Sequence, residues 1–185
     1  MSRTVLRLLM PALALAAAPA GAGQGDPPDV PSRKLQARKD PHKTYYLIGP
    51  RADEKAPDGG YRLLLVLPGG DGSARFLPFV KRIYRHAVPA GYLAVQLVAP
   101  RWTPQQKVVW PLRKIPATGM RFGTEAFIEA VVADVRARHE IDPRHVFTMA
   151  WSSSGPAAYA ASLQPRKTVT GSYVAMSVFN KKYLP

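Results

Sequence analysis

Three consecutive serines are the part of this sequence best suited to nucleophilic chemistry. They lie in the stretch Trp151-Ser152-Ser153-Ser154-Gly155, directly after a short apolar run. The stretch matches the nucleophile-elbow pattern G-x-S-x-G, with tryptophan in place of the first glycine and Gly155 as the second. In this register the central serine, Ser153, is the candidate nucleophile for attack on a carbonyl carbon.

A glycine-rich turn, Pro68-Gly69-Gly70-Asp71-Gly72, is the second candidate and also follows an apolar run. Glycines allow backbone N–H groups to face a substrate oxygen, as an oxyanion hole requires. The expected donors are the N–H of Ser154, which follows the nucleophile at the start of a helix, and the N–H of Gly70. The N–H of Asp71 replaces that of Gly70 if the turn is shifted by one residue.

Alternating strand-like and helix-like segments must position these two turns. The apolar run 63–67 has no polar face, which is typical of a strand covered by helices on both sides. The alternation predicts a three-layer α/β fold, with a mostly parallel sheet flanked by helices. Residues 44–48 and 61–67, separated by a turn-rich loop, predict an antiparallel pair. The other predicted strands are 92–98, 146–150 and 172–178, and the predicted helices are 77–88, 124–139 and 155–163.

The order of these segments supports a catalytic interpretation of both turns. A serine-rich turn can simply cap a helix, and a glycine-rich stretch can simply be a tight turn. Here, however, both follow predicted parallel strands, and open α/β sheets bind ligands at the carboxyl ends of their strands. The two turns are therefore expected to face each other across one site.

Residues from about 44 to 178 resemble the α/β-hydrolase superfamily, particularly its secreted polyhydroxybutyrate-depolymerase-like and phospholipase/carboxylesterase-like esterases. The resemblance rests on residues 67–72, 141–147 and 151–156. That family more often has His-Gly where Pro68-Gly69 stands. The resemblance implies a serine hydrolase of the carboxylic-ester esterase type, acting on a small or polymeric ester with no cofactor and no metal ion.

The sequence after the serines lacks the other two members of a catalytic triad. In α/β-hydrolases the acid and the histidine follow the nucleophile along the chain. Residues 151–185 contain no Asp, Glu or His. We therefore expect a fold that is incomplete at its C-terminal side and an impaired catalyst, since a serine without a base is a weak nucleophile. The alternatives are a non-catalytic exported binding module on the same scaffold, or a serine peptidase or acyltransferase of the same fold.

The N-terminus has the pattern of a signal peptide. Arg3 and Arg7 precede a short apolar run, and two small-x-small cleavage patterns end at Ala20 and Ala22. The run is too short to cross a bilayer comfortably, so we expect no stable membrane insertion after cleavage. The prediction is an exported protein, periplasmic or secreted, with a signal peptide at 1–22, a flexible linker at 23–43 and a partial hydrolase domain at 44–185.

Composition excludes several other functions. The chain has no cysteine, which rules out a disulfide framework, a thiol nucleophile and a Cys-ligated zinc site. Its formal net charge is +14, but the basic residues are scattered and no nucleic-acid-binding motif accompanies them. We therefore expect no nucleic-acid partner. Trp102 and Trp110, in the loop after the strand at 92–98, either line a substrate pocket or pack on the sheet.

Overall fold

The chain folds around one six-stranded sheet with helices on both faces. The computed structural model describes residues 25–165 and 168–183, so the predicted signal peptide at 1–22 lies outside the described residues. The strand order is β1-β2-β4-β3-β5-β6. The strands are β1 (Ser32–Gln36), β2 (Thr44–Ile48), β3 (Tyr61–Leu67), β4 (Tyr92–Leu97), β5 (Ile141–Trp151) and β6 (Gly171–Ala175). The α-helices are α1 (Leu77–Ala87), α2 (Thr124–Arg136) and α3 (Gly155–Ser162). Short 3-10 turns cover Ala37–Lys39, Pro41–Lys43, Ala74–Phe76, Ser152–Ser154 and Lys181–Tyr183.

The most apolar strand, β3, lies in the middle of the sheet and pairs in parallel with β4 and β5. This position suits its apolar sequence, because a central strand is buried on both faces. The predicted antiparallel pairing of β2 with β3 is wrong. β4 lies between them and pairs antiparallel with β2. A local strand-loop-strand pattern cannot show that a later strand will be inserted between the two.

The predicted linker at 23–43 contains an additional strand. β1 pairs antiparallel with β2, and Ala37 directly after it is fully buried. Asp26 forms an ion pair with Lys81 of α1, at 2.7 Å. The sheet therefore begins before residue 44. Edge strands carry charged and polar side chains, which is why β1 resembles a linker in sequence.

Alternate residues of the strands face two separate helix layers. Leu63 and Leu65 of β3 pack in one core with α2 and α3, and Val66 packs in the other with Val80 and Tyr84 of α1. This is the period-two alternation of a strand buried on both sides. The three-layer α/β architecture predicted from the sequence is confirmed.

The sheet ends at β6, which pairs with β5 alone among the described residues. Exposed large apolar side chains lie in and after this strand, namely Tyr173, Met176, Val178 and Phe179. No helix within 25–165 and 168–183 has the length and apolar character needed to span a bilayer.

Candidate active site

Strand β5 ends in a sharply bent serine turn at the carboxyl edge of the sheet. Ser152 has a φ of 56°, in the left-handed region that non-glycine residues rarely occupy. Its side chain is exposed, and the chain continues through the 3-10 turn into α3 at Gly155. Strained backbone of this kind persists where surrounding structure enforces it, and nucleophile elbows are one such place.

Ser153, the nucleophile predicted from the sequence pattern, lies one residue beyond the strained position. Its side chain is exposed, and its Oγ donates a hydrogen bond to the Gly70 carbonyl at 3.0 Å. The structure therefore brings the serine turn and the glycine turn into contact. Across the described residues, no histidine or carboxylate is hydrogen-bonded to the hydroxyl of Ser152 or Ser153.

The hydroxyl of Ser154 joins the ends of two strands. It is fully buried and lies 2.6 Å from the Leu67 carbonyl at the end of β3, and 2.9 Å from the Trp151 carbonyl at the end of β5. It also accepts a hydrogen bond from the Trp151 backbone N–H at 3.0 Å. Because β3 leads into the glycine turn and β5 into the serine turn, this hydroxyl fixes one turn relative to the other.

The glycine turn approaches the serine turn so closely that it needs its glycines. A Cβ on Gly69 would lie 2.6 Å from the Trp151 carbonyl oxygen, which is far inside van der Waals contact. Gly70 has a φ of 58°, and the N–H of Gly72 closes the turn on the Gly69 carbonyl at 3.0 Å. The glycine pattern therefore serves close approach and turn geometry at once.

The Asp71 carboxylate accepts its hydrogen bonds from groups in and just after the glycine turn. It accepts hydrogen bonds from the backbone N–H of Ser73, at 3.1 Å, and from the Arg75 guanidinium. The bond from Arg75 is the main reason that the pKa of Asp71 is lowered to about 2. The carboxylate therefore stays ionised and holds the turn instead of exchanging protons.

The loop between β4 and α2 supports the glycine turn from behind. Trp110 is 2% exposed and donates from Nε1 to the Pro68 carbonyl at 2.9 Å, so it packs and does not line an open pocket. Gln106, a residue that the sequence patterns did not indicate, holds the same loop together. Its buried amide donates to the carbonyl of Val108 at 2.7 Å and accepts from the backbone N–H of Trp102 at 2.9 Å. No local pattern marks such a residue, because its partners depend on how the loop closes.

The contacts of the four histidines are all with residues outside the serine turn. The His145 ring is 2.8 Å from the Asp142 carboxylate at the beginning of β5, at the opposite edge of the sheet. His42 stacks on Trp102 with ring centroids 4.7 Å apart. His139 lies after α2, where burial lowers its pKa, and His86 is an exposed residue of α1. The described residues therefore supply no base to the serines.

Comparisons with known proteins show the fold. No family model matches the chain, and no curated protein matches it. Among solved structures, a bacterial heroin esterase superposes with a TM-score of 0.57 at 16% identity, over 87% of this chain and 48% of that protein. A ferulic acid esterase gives 0.55 at 13% identity, over 80% and 58%. An S-formylglutathione hydrolase from Staphylococcus aureus gives 0.52 at 13% identity, over 76% and 54%.

These superpositions confirm that the chain has an α/β-hydrolase fold, incomplete relative to these structures. The chain spans about half the length of the heroin esterase.

Proposed function

We propose that this protein is an exported serine hydrolase of the esterase type, with its nucleophile in the serine turn at the end of β5. The observation that carries the proposal is the strained backbone of Ser152, at φ 56°, opposite a glycine turn that contacts the next residue. That pairing suits acyl transfer, in which a nucleophile and oxyanion donors converge on one carbonyl.

We assign the nucleophile to Ser152 in preference to Ser153. The apex of a nucleophile elbow is the strained residue, and the left-handed backbone falls on Ser152. The hydroxyl of Ser153 is directed to the Gly70 carbonyl, which holds its proton. With Ser152 at the apex, the first oxyanion donor is the N–H of Ser153, and the N–H of Gly70 remains the second. The pattern-based register, with Ser153 as nucleophile and the N–H of Ser154 as donor, is the competing assignment.

The reaction follows from this arrangement. The Ser152 Oγ attacks the ester carbonyl carbon and loses its proton to a base, while the carbonyl oxygen becomes an oxyanion held by the two backbone N–H groups. Collapse of the intermediate expels the alcohol, which takes up the proton, and leaves an acyl-serine. Water then hydrolyses the acyl-serine to the acid and regenerates the hydroxyl.

Proton transfer is the slow step for this chain. The described residues place no histidine or carboxylate at the serine hydroxyls, so water must take the proton. Enzymes that lose a triad member keep a residual acceleration of roughly 10³ to 10⁴ over water, from binding and the oxyanion hole. We expect this chain to work at that level.

The experiment compares this chain with a form extended at its C-terminus by a segment that carries an acid and a histidine. We expect feeble hydrolysis of an activated aryl ester by this chain. The extended form should hydrolyse the ester rapidly and be labelled by a fluorophosphonate on the serine turn, as located by mass spectrometry. Absence of labelling and turnover in a folded extended form would reject the proposal.

A non-catalytic exported binding module is the second candidate. It predicts that the extended form binds esters or polymers without cleaving them, so the same experiment separates the two functions.

Export is tested independently of activity. The two small-x-small patterns predict that the mature protein begins at Gly21 or Gly23. N-terminal sequencing of the protein from the periplasm or the medium checks this, and an intact Met1 in the membrane fraction would argue for an anchor instead.

A further inference from the structure

The glycine turn has the backbone of a type II′ turn. The Gly72 N–H donates to the Gly69 carbonyl at 3.0 Å, so Gly70 and Asp71 are the two central residues. Gly70 has a φ of 58°, whereas the φ of Asp71 is negative. A positive φ at the first central residue alone is typical of type II′, and a positive φ at both is typical of type I′. The two types differ in the orientation of one peptide, which joins Gly70 to Asp71.

This central peptide points its carbonyl oxygen at the serine turn. The Gly70 carbonyl accepts the hydrogen bond from the Ser153 Oγ at 3.0 Å. The peptide is trans, and in a trans peptide the C=O and N–H groups point in opposite directions. The Asp71 N–H therefore points away from Ser153. A carbonyl oxygen in this place repels the oxyanion of the proposed reaction, so the turn stands in a resting form.

Rotation of this one peptide by about 180° exchanges its two groups and converts the type II′ turn into a type I′ turn. The Asp71 N–H then takes the place of the Gly70 carbonyl. Gly70 keeps a positive φ in both types, and Asp tolerates the left-handed backbone that type I′ requires at the second central position. The Cα atoms stay in place, so the Asp71 carboxylate keeps its bonds to Ser73 and Arg75.

We propose that the glycine turn is a two-state device, in which a flip of the Gly70–Asp71 peptide supplies the Asp71 N–H as an additional oxyanion donor. The flip rests on the proposed function for the oxyanion that drives it. The bond from the Ser153 hydroxyl and the negative φ of Asp71 stabilise the resting form. A negatively charged oxygen stabilises the flipped form, because it gains a backbone N–H and loses a carbonyl neighbour.

Substitutions at position 71 shift the two forms in opposite directions. Asp71→Gly removes the cost of a left-handed residue, whereas Asp71→Val raises it, because a β-branched residue rarely takes a positive φ. Both variants lose the carboxylate, so the loss of its bonds to Ser73 and Arg75 cancels in the comparison. Asp71→Ala has an intermediate cost and keeps the comparison decisive if the valine variant does not fold.

NMR of the ligand-free proteins tests the flip without any catalysis. The amide protons of Gly70 and Asp71 lie close together in a type I′ turn and apart in a type II′ turn, so the nuclear Overhauser effect between them reports the flip. We expect this effect to be strong in Asp71→Gly and weak in the parent protein and in Asp71→Val. A weak effect in Asp71→Gly would overturn the two-state turn.

Hydrolysis of an activated aryl ester by the same proteins tests the donor. The kcat of Asp71→Val should lie about 100-fold below that of Asp71→Gly, at similar KM, because an oxyanion donor acts in the transition state. Asp71→Ala should lie about fivefold or more below Asp71→Gly. Equal kcat values in these variants would overturn the donor role. A flip in Asp71→Gly with no hydrolysis by any of the proteins would remove the esterase proposal and the donor role together, and leave a turn with two forms.

Discussion

Ser152→Ala lowers ester hydrolysis by about 10⁴-fold or more in the extended form that carries an acid and a histidine, because it removes the attacking oxygen. It also abolishes labelling by a fluorophosphonate. Ser153→Ala keeps the apex serine and removes only a hydroxyl that donates to the Gly70 carbonyl. Its activity should stay within about tenfold of the parent protein, the cost of one misplaced hydrogen bond. Initial rates with an activated aryl ester and mass spectrometry of the labelled peptide measure both effects.

Each variant is the control for the other, since the two serines are adjacent, exposed and alike in size. Inactivity of Ser153→Ala together with near-normal activity of Ser152→Ala would return the nucleophile to the position that the G-x-S-x-G pattern indicates. Near-normal activity of both variants would remove the serine turn from the mechanism.

Ser154→Ala should lower the free energy of unfolding by about 2 to 4 kcal/mol. The hydroxyl is fully buried and bonds to the carbonyls of Leu67 and Trp151 and to the N–H of Trp151. Alanine makes none of these bonds. The backbone groups that the hydroxyl bonds at the ends of β3 and β5 stay buried but lose this partner, and a buried polar group without a hydrogen bond costs desolvation free energy. Urea unfolding of the parent protein and the variant, followed by far-ultraviolet circular dichroism, measures the difference.

Ser162→Ala is the matched control for this loss. Ser162 lies in α3, is partly buried, and makes one weak bond to the Tyr159 carbonyl at 3.3 Å. Its replacement should change the free energy of unfolding by less than about 0.5 kcal/mol. Similar losses in the two variants would show that the Ser154 hydroxyl has no special part in joining the strands.

The open edge of the sheet also bears on stability. β6 pairs only with β5 among the described residues, and it carries Tyr173, which is 64% exposed, with Met176 just beyond it at 83%. Unpaired strand edges beside apolar side chains favour association. Unfolding of the Ser154 and Ser162 variants is therefore best compared at one low protein concentration.

The sequence by itself determined those strands and helices whose apolar residues show directly which of their faces are buried. The apolar run of β3 required a central strand, because only a position covered on both faces buries all of it. The apolar spacing in α2 required a helix against the sheet, where Phe127, Ile128 and Val131 are now buried. The glycine turn and the serine turn were recognisable because close backbone approach and sharp bends limit the residues that fit.

Only the tertiary structure decided which segments lie side by side. The insertion of β4 between β2 and β3, and the pairing of the polar strand β1 with β2, depend on contacts distant in sequence. The left-handed backbone of Ser152 was equally hidden, because the G-x-S-x-G pattern with Gly155 as its second glycine points to Ser153 and does not report the backbone of the preceding serine. The bond from the Ser154 hydroxyl to the carbonyl at the end of β3 was hidden as well, because it exists only once β3 and β5 have paired.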